Sequence, residues 1–345
     1  MKIILSEKDA DQFDWALRTA RSAGDEIVVE AGLTVLTRGS WAFPEFNWIG
    51  LAPGVRLSLG KGSTVKLAPY AERTTDGVLR PSRDLNILWI GHDSEIVGEG
   101  TIDANYEAHP GWNCGGIRAF GACHLEDLTI IGLSGDRLVK ESFAFSAEGA
   151  TGGTHILRVK VNRCQVDLGS YVSGIYVGAT LNNGLTSRVE ECVVDLGEYG
   201  HFAYSSTFHT KFGRCIGRAM RFWYTDTGDG IAVIEECSGG VSYSVIGSVS
   251  TEKTHTRSVV MDLSNFVQLG KEARWVEWWN KGGVQLGGVV IKACIFNGFT
   301  YRAAIVGQTG AVVLIDTQWN PVDGGVMEYP KDEITSGSFA PIVTP

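Results

Sequence analysis

Proline is scarce in this sequence, at 9 of 345 residues, so little interrupts backbone hydrogen bonding along buried strands. No run of 18 apolar residues occurs, which leaves no candidate membrane-spanning helix. Basic charge is short: 30 Lys and Arg against 39 Asp and Glu give a net charge of −9. That balance argues against a general nucleic-acid binder. Cys-x-x-Cys and His-x-x-x-His are both missing, so no metal-binding spacing is present and no metal site is assigned. The opening MKIILSEKDADQF lacks the apolar core of a secretory leader. The expectation is a cytoplasmic chain, or a secreted one whose leader has been removed.

What is present is repetition. Apolar residues make up 44% and charged residues 20%, a globular balance. Glycine is abundant at 44 residues, as many tight turns require. Five cysteines sit in near-copies of one phrase: RVKVNRCQVD at Cys164, RVEECVVD at Cys192, KFGRC at Cys215, VIEEC at Cys237 and VIKAC at Cys294. The steps are 28, 23, 22 and 57 residues. The last has room for two turns of about 28, and such periods mark a stacked architecture. One residue type at one place on every turn makes an internal ladder, and Thr317 continues it. These cysteines read as buried small hydrophobes, not disulfides. The expected fold is all-β, a right-handed parallel β-helix of one domain over 1–345.

Ser6 and Asp9 have N-cap spacing, Phe13, Leu17 and Ala20 share a helical face, and Gly24 ends the segment. A helix over 6–24 is expected to cover the open end of the coil, where strand edges would otherwise be exposed. Coils then run over 25–318, and 319–345 forms a C-terminal cap or tail. Residues 69–88 read as a loop extruded from an early turn, and 270–283 as a loop interrupting the repeat.

Six strands after the ladder phrases align: SFAFSA, SGIYVG, HFAYSS, RFWYTD, SYSVIG and RAAIVG. Side chains alternate between faces along a strand. The second and fourth positions, including Tyr224, are therefore expected in the core. The leading positions Ser142, Ser173, His201, Arg221, Ser242 and Arg302 are expected outside, with Trp223.

The phrase IVGEGTIDAN at 96–105 and the later VEECVVDLGEYGHFAYS resemble the pectin-lyase-like superfamily, most closely its polygalacturonase-type glycoside hydrolases. Gly98, Gly100, Ile102 and Asp103 match a Gly-x-Gly-x-Ile-Asp phrase of that family. The resemblance implies the parallel β-helix and activity on carbohydrate. The family's catalytic phrases are Asn-Thr-Asp, Asp-Asp, Gly-His-Gly and Arg-Ile-Lys. This chain has no Asp-Asp and no Arg-Ile-Lys, and its nearest match is Gly200-His201 followed by Phe202.

Candidate catalytic residues are His201 as acid or base, Arg221 to hold a sugar carboxylate or sulfate, and the carboxylates Asp226, Asp229 and Glu277. Candidate substrate contacts are Trp223, Trp278 and Trp279 by stacking, with Arg118, Lys140 and Arg302 as a basic track. The first expectation is a carbohydrate-active enzyme, hydrolase or lyase, on a glycan that an anionic character would suit. A lyase would add Ca2+; no other cofactor is expected. The alternative is a non-catalytic glycan-binding β-helix of the tailspike or adhesin kind. No membrane or nucleic-acid partner is expected, and the chain acts as monomer or homo-oligomer. An ice-binding solenoid would need a regular outward threonine array, which the reading above does not find.

Overall fold

A computed structural model describes the chain except for residues 42–49, 70–83, 111, 136–141, 149–152, 166–171, 179–183, 206–208, 226–229, 251–254, 271–272, 281–283, 307–311, 322–341 and 344–345. The chain winds as a right-handed parallel β-helix with three faces. The first face is a 13-stranded sheet running from Lys2–Leu5 to Ile342–Val343. The second face begins at Thr34–Thr37 and continues through Thr64–Leu67 and Thr101–Asp103. The third begins at Asp84–Ile90 and Asn113–Phe120. Ile216–Tyr224 and Ser238–Ser250 are long enough to serve the second and third faces in turn, with a register shift between Ala219 and Arg221. Strand pairing is parallel except where Ser40–Trp41 meets Asp84–Ile90 antiparallel.

Period-2 alternation turns one side chain of each strand inward on every coil. On the first face this builds the column Ile27, Leu57, Ile96, Leu125, Ile156, Val189, Phe212, Ile234, Met261, Ile291 and Leu314, which are register neighbours. Each is at most 3% exposed. Each such side chain contributes roughly 1.5–3 kcal/mol of apolar burial. An aromatic stack fills the other end of the section: Phe202 on Phe222 at 4.4 Å, Phe222 against Phe266 at 4.9 Å, and Trp275 on Phe296 at 4.2 Å.

The corner between the first and second faces carries the ladder. Its column is Leu33, Ser63, Gly100, Leu128, Val159, Cys192, Cys215, Cys237, Ser264, Cys294 and Thr317, whose carbonyls receive the next coil's N–H from Leu33 through Cys294. Ser264 fills the long step between Cys237 and Cys294. Cys192, Cys215 and Cys237 each donate Sγ–H to a carbonyl two residues back and to the coil before. Thr317 Oγ1 does the same at 3.1 and 3.0 Å. Burial pushes the Cys215 thiol up and the Cys294 thiol up to about 11, so these two thiols are poor nucleophiles. Cys164 is a correction. Val159 holds the ladder position on that coil, and Cys164 lies half-buried at the next corner with its thiol on Asn162 O.

From Leu128 onward the residue before each ladder position turns the corner with positive φ: Asp127, Arg158, Glu191, Arg214, Glu236, Leu263, Ala293 and Asp316, at 48–61°. A left-handed non-glycine residue costs roughly 1–2 kcal/mol. Here much of the column is charged with alternating sign. Arg158 binds Asp127 at 2.6 Å and also Glu126. Arg214 binds Glu191 at 2.8 Å and reaches Glu236 at 4.0 Å.

The N-terminal end differs from the expected single helix. Lys2–Leu5 is a strand paired with Glu26–Val29. Ser6 and Asp9 form a capping box around a 3-10 turn, Glu7–Asp9. The α-helix itself is Phe13–Thr19, burying Phe13, Ala16 and Leu17. The KIIL strand lies ahead of the capping box, and its pairing with the next coil satisfies its backbone directly. Residues 84–88, read as loop, begin the strand Asp84–Ile90, and half of 270–283 is the strand Arg274–Asn280. The C-terminal tail lies mostly outside the described residues.

Candidate functional site

The third face gathers the chemistry. One cross-strand column reads Ser173, His201, Arg221, Ser244 and Arg274 on successive coils. Another reads Arg118, Ser146, Tyr176, Tyr204, Tyr224, Gly247 and Glu277. Successive strands lie about 4.8 Å apart, so groups on neighbouring coils touch.

Arg221 and Tyr224 are three residues apart, which in a regular strand puts them on opposite faces. Yet the Arg221 guanidinium lies 5.2 Å from the Tyr224 ring centre. Between them Phe222 and Trp223 are both buried, at 1% and 0% exposure. The strand thus buries two consecutive side chains and returns to the outer face at Tyr224. This overturns two expectations at once: Trp223 belongs to the core, and Tyr224 to the outer cluster.

His201 lies flat on Tyr224, with ring centres 4.6 Å apart and planes within 9°. It is 5% exposed, and its Nδ1 has no hydrogen-bond partner among the described residues. Burial, reinforced by the Arg221 charge, holds its pKa well below the usual histidine value. His201 is therefore neutral near pH 7.

Arg221 donates Nε and Nη2 to Glu277 Oε2 at 3.1 and 3.0 Å. Arg274 donates Nη1 to the other oxygen at 3.2 Å. The Glu277 and Arg274 side chains are 1% and 2% exposed. Tyr243 is held between the two guanidinium groups, at 4.5 and 4.4 Å. Burial and then the Glu277 charge raise its phenol pKa. Gly247 makes room for this arrangement, since a Cβ there would meet Arg221 Cδ at 2.7 Å.

Further along the same face, Phe143 meets Tyr176 at 5.2 Å, and Arg118 lies 4.9 Å over Trp89, which itself packs on Phe120 at 4.5 Å. Phe143, Tyr176, Tyr224, Tyr243, Arg118 and Arg221 are all partly exposed.

The structure therefore brings together His201, Arg221 and Glu277, and places Arg118 on the same face. Lys140, Asp226 and Asp229 lie outside the described residues. Arg302, Trp278 and Trp279 lie in strands, but their side chains are outside what is described. Glu277, a candidate carboxylate from the sequence, is the buried centre of an ion pair network. Three strands slip in the sequence alignment: Ser142 pairs with Val172, Ser244, not Ser242, pairs with Arg221, and Tyr301, not Arg302, follows Arg274 in that column. Sequence reasoning missed Tyr243 and Arg274. The alternation in RWVEWW was the available signal for a strand at Arg274.

Threonine also forms an array after all. Thr34, Thr64, Thr101 and Thr129 occupy successive coils of the second face, followed by Lys160. Among the described residues no group of three or more His, Cys, Asp or Glu could hold a metal ion, and no helix is long and apolar enough to cross a membrane.

No protein-family model matches the sequence, and no curated protein sequence matches it. Solved structures do. A double mutant of the tailspike protein of E. coli bacteriophage HK620 superimposes with a TM-score of 0.55 at 12% identity, covering 89% of this chain and 61% of that one. The chain thus spans about three fifths of that tailspike's length. PfbA, a surface adhesin of Streptococcus pneumoniae, superimposes with a TM-score of 0.51 at 11% identity, covering 92% of this chain and 88% of that one. At such identities the likeness is one of fold, and that fold is the parallel β-helix.

Proposed function

We propose that the chain is a glycan-binding β-helix that seats an extended carbohydrate along its third face. The observation that carries this reading is the axial stripe of partly exposed aromatic rings and guanidinium groups: Arg118, Phe143, Tyr176, Tyr224, Arg221 and Tyr243. Aromatic faces stack on the apolar faces of sugar rings, and arginines hold hydroxyls or acidic groups. A rigid rod with one repeat per coil suits a polymeric ligand. Likeness to a tailspike and an adhesin supports a surface-binding role of this kind.

Catalysis by hydrolysis asks for two carboxylates about 6.5–9.5 Å apart in an inverting enzyme. Glu277 is committed to two arginines, which leaves that role to Asp226 and Asp229. A lyase reading has one observation in its favour: neutral His201 in the coil next to Arg221. A base beside a cation that neutralises a uronate carboxylate is the arrangement such proton abstraction uses.

The test is a glycan panel with binding, reducing ends and absorbance at 235 nm read in parallel. Retention of one glycan without new products is expected, weakened roughly tenfold, about 1.4 kcal/mol, in Tyr176→Ala and Tyr243→Ala. Absorbance lost in His201→Phe would replace this reading with a lyase. Binding unchanged in both tyrosine variants would sink the placement of the ligand.

A further inference from the structure

On the first face, away from the aromatic stripe, two imidazoles stand on neighbouring coils. His124 pairs in register with His155, and their ring centres are 5.1 Å apart with planes tilted by 41°. Each ring is tied to a carboxylate through the same nitrogen. His124 Nε2 meets Glu126 Oε2 at 3.1 Å, and His155 Nε2 meets Glu190 Oε2 at 3.0 Å. An ionised carboxylate only accepts, so Nε2 carries the hydrogen in both rings. In neutral imidazole that leaves Nδ1 with the lone pair. The side chains are 26% and 35% exposed, so small ions reach them.

We propose that His124 and His155 form an exchangeable site for a borderline divalent cation such as Zn2+, Ni2+ or Cu2+, bound through the two Nδ1 atoms. Metal-bound histidines characteristically donate their other ring N–H to a carboxylate, which fixes the tautomer and raises ligand basicity. Both rings already have that partner. Bonds of about 2.0–2.1 Å to zinc require the two nitrogens within about 4 Å of each other. Rings 5.1 Å apart reach this by a small rotation about χ2, which is broad in histidine. Water completes the coordination, because no third protein ligand converges there among the described residues. Imidazole suits these ions and not Ca2+ or Mg2+, which take oxygen ligands. Glu126 is itself held by Arg158, and Glu190 reaches His155 from one coil beyond.

The test is calorimetric titration of the whole tag-free chain with ZnCl2, with CaCl2 as control. One Zn2+ per chain is expected, with tighter binding of Cu2+ in the usual order. His124→Gln and His155→Gln should each weaken binding, and the double variant should abolish it. Glu190→Gln should weaken it roughly 10–100-fold without touching a ligand. His92→Ala, at an exposed histidine elsewhere, should change nothing. A zinc-induced rise in melting temperature that disappears in the double variant supports the site in folded protein. No saturable heat up to about 1 mM Zn2+, where binding free energy falls to about −4 kcal/mol, would overturn the proposal. So would binding that survives the double variant or that Ca2+ matches.

Discussion

Replacing Glu277 by glutamine removes one charge from the most buried ion network described in the chain and keeps its shape. The carboxylate serves Arg221 through one oxygen and Arg274 through the other, and all three side chains are at most 12% exposed. Breaking a buried pair by neutralising one partner costs roughly 3–5 kcal/mol, because the remaining charge is left uncompensated. Glutamine still accepts one hydrogen bond, so the lower end, about 3 kcal/mol, is expected. Unfolding entropy of roughly 2.1 cal/mol/K per residue, over 345 residues, comes to about 0.7 kcal/mol/K. The expected fall in melting temperature is therefore about 4 °C, and more if the solenoid melts in sections. The assay is thermal unfolding by circular dichroism of Glu277→Gln, Arg274→Met and the double variant. The double should cost clearly less than the two singles together, since both act on one network. If Glu277→Gln melts within 1 °C of the parent while glycan cleavage is lost, the carboxylate is a catalytic group, and the structural reasoning is wrong.

Three further perturbations probe other levels of the fold. His201 has a folded pKa depressed below the unfolded value of about 6.5, so the unfolded chain takes up a proton that the native chain refuses. Stability is full above about pH 6.5 and falls as pH drops, by up to about 1.4 kcal/mol per unit until the folded pKa is reached. Urea unfolding at pH 7.0 and 5.5 should therefore show a larger loss in the parent than in His201→Phe, which keeps the stack on Tyr224; equal losses would refute the assignment. At the corner, Leu263 sits at φ 48° and is 58% exposed, so Leu263→Gly should stabilise by about 0.5–1 kcal/mol, once the strain of about 1–2 kcal/mol is set against glycine's greater unfolded entropy. Phe222→Ala, which opens the stack on Phe202 and Phe266, should cost about 3–5 kcal/mol, and a loss under 1 kcal/mol would show that the aromatic column is not a packed core.

The β-helix was legible because a coil repeats one physical problem. The inward column from Ile27 to Leu314 must be apolar on every coil, and the ladder corner rewards a small side chain that can donate to the carbonyl two residues back. Cysteine, serine and threonine all satisfy that corner, which is why Ser264 and Thr317 stand in line with Cys237 and Cys294. Cys164 misled because its phrase looks like the others while its coil places Val159 at the corner. The left-handed residue before the ladder, Arg158 on that coil, was the better marker, but φ is not written in the sequence when the residue is not glycine.

The site was half legible for a different reason. His201 and Arg221 were visible as candidates because polar groups interrupting an apolar pattern stand out. Their partners were hidden by one structural event, the double burial of Phe222 and Trp223. Strict alternation would send Tyr224 inward and Trp223 outward; the kink exchanges them, and so builds a stacked His201–Tyr224–Arg221 cluster. Tyr243 and Arg274 then join from the next two coils because register, not sequence distance, sets who touches whom. Function in such a solenoid resides where the repeat is broken. On the third face the break coincides with the long strand Ile216–Tyr224, where two faces share one strand and the register shifts. A ligand that follows the coil axis would meet its most particular surface at that coil.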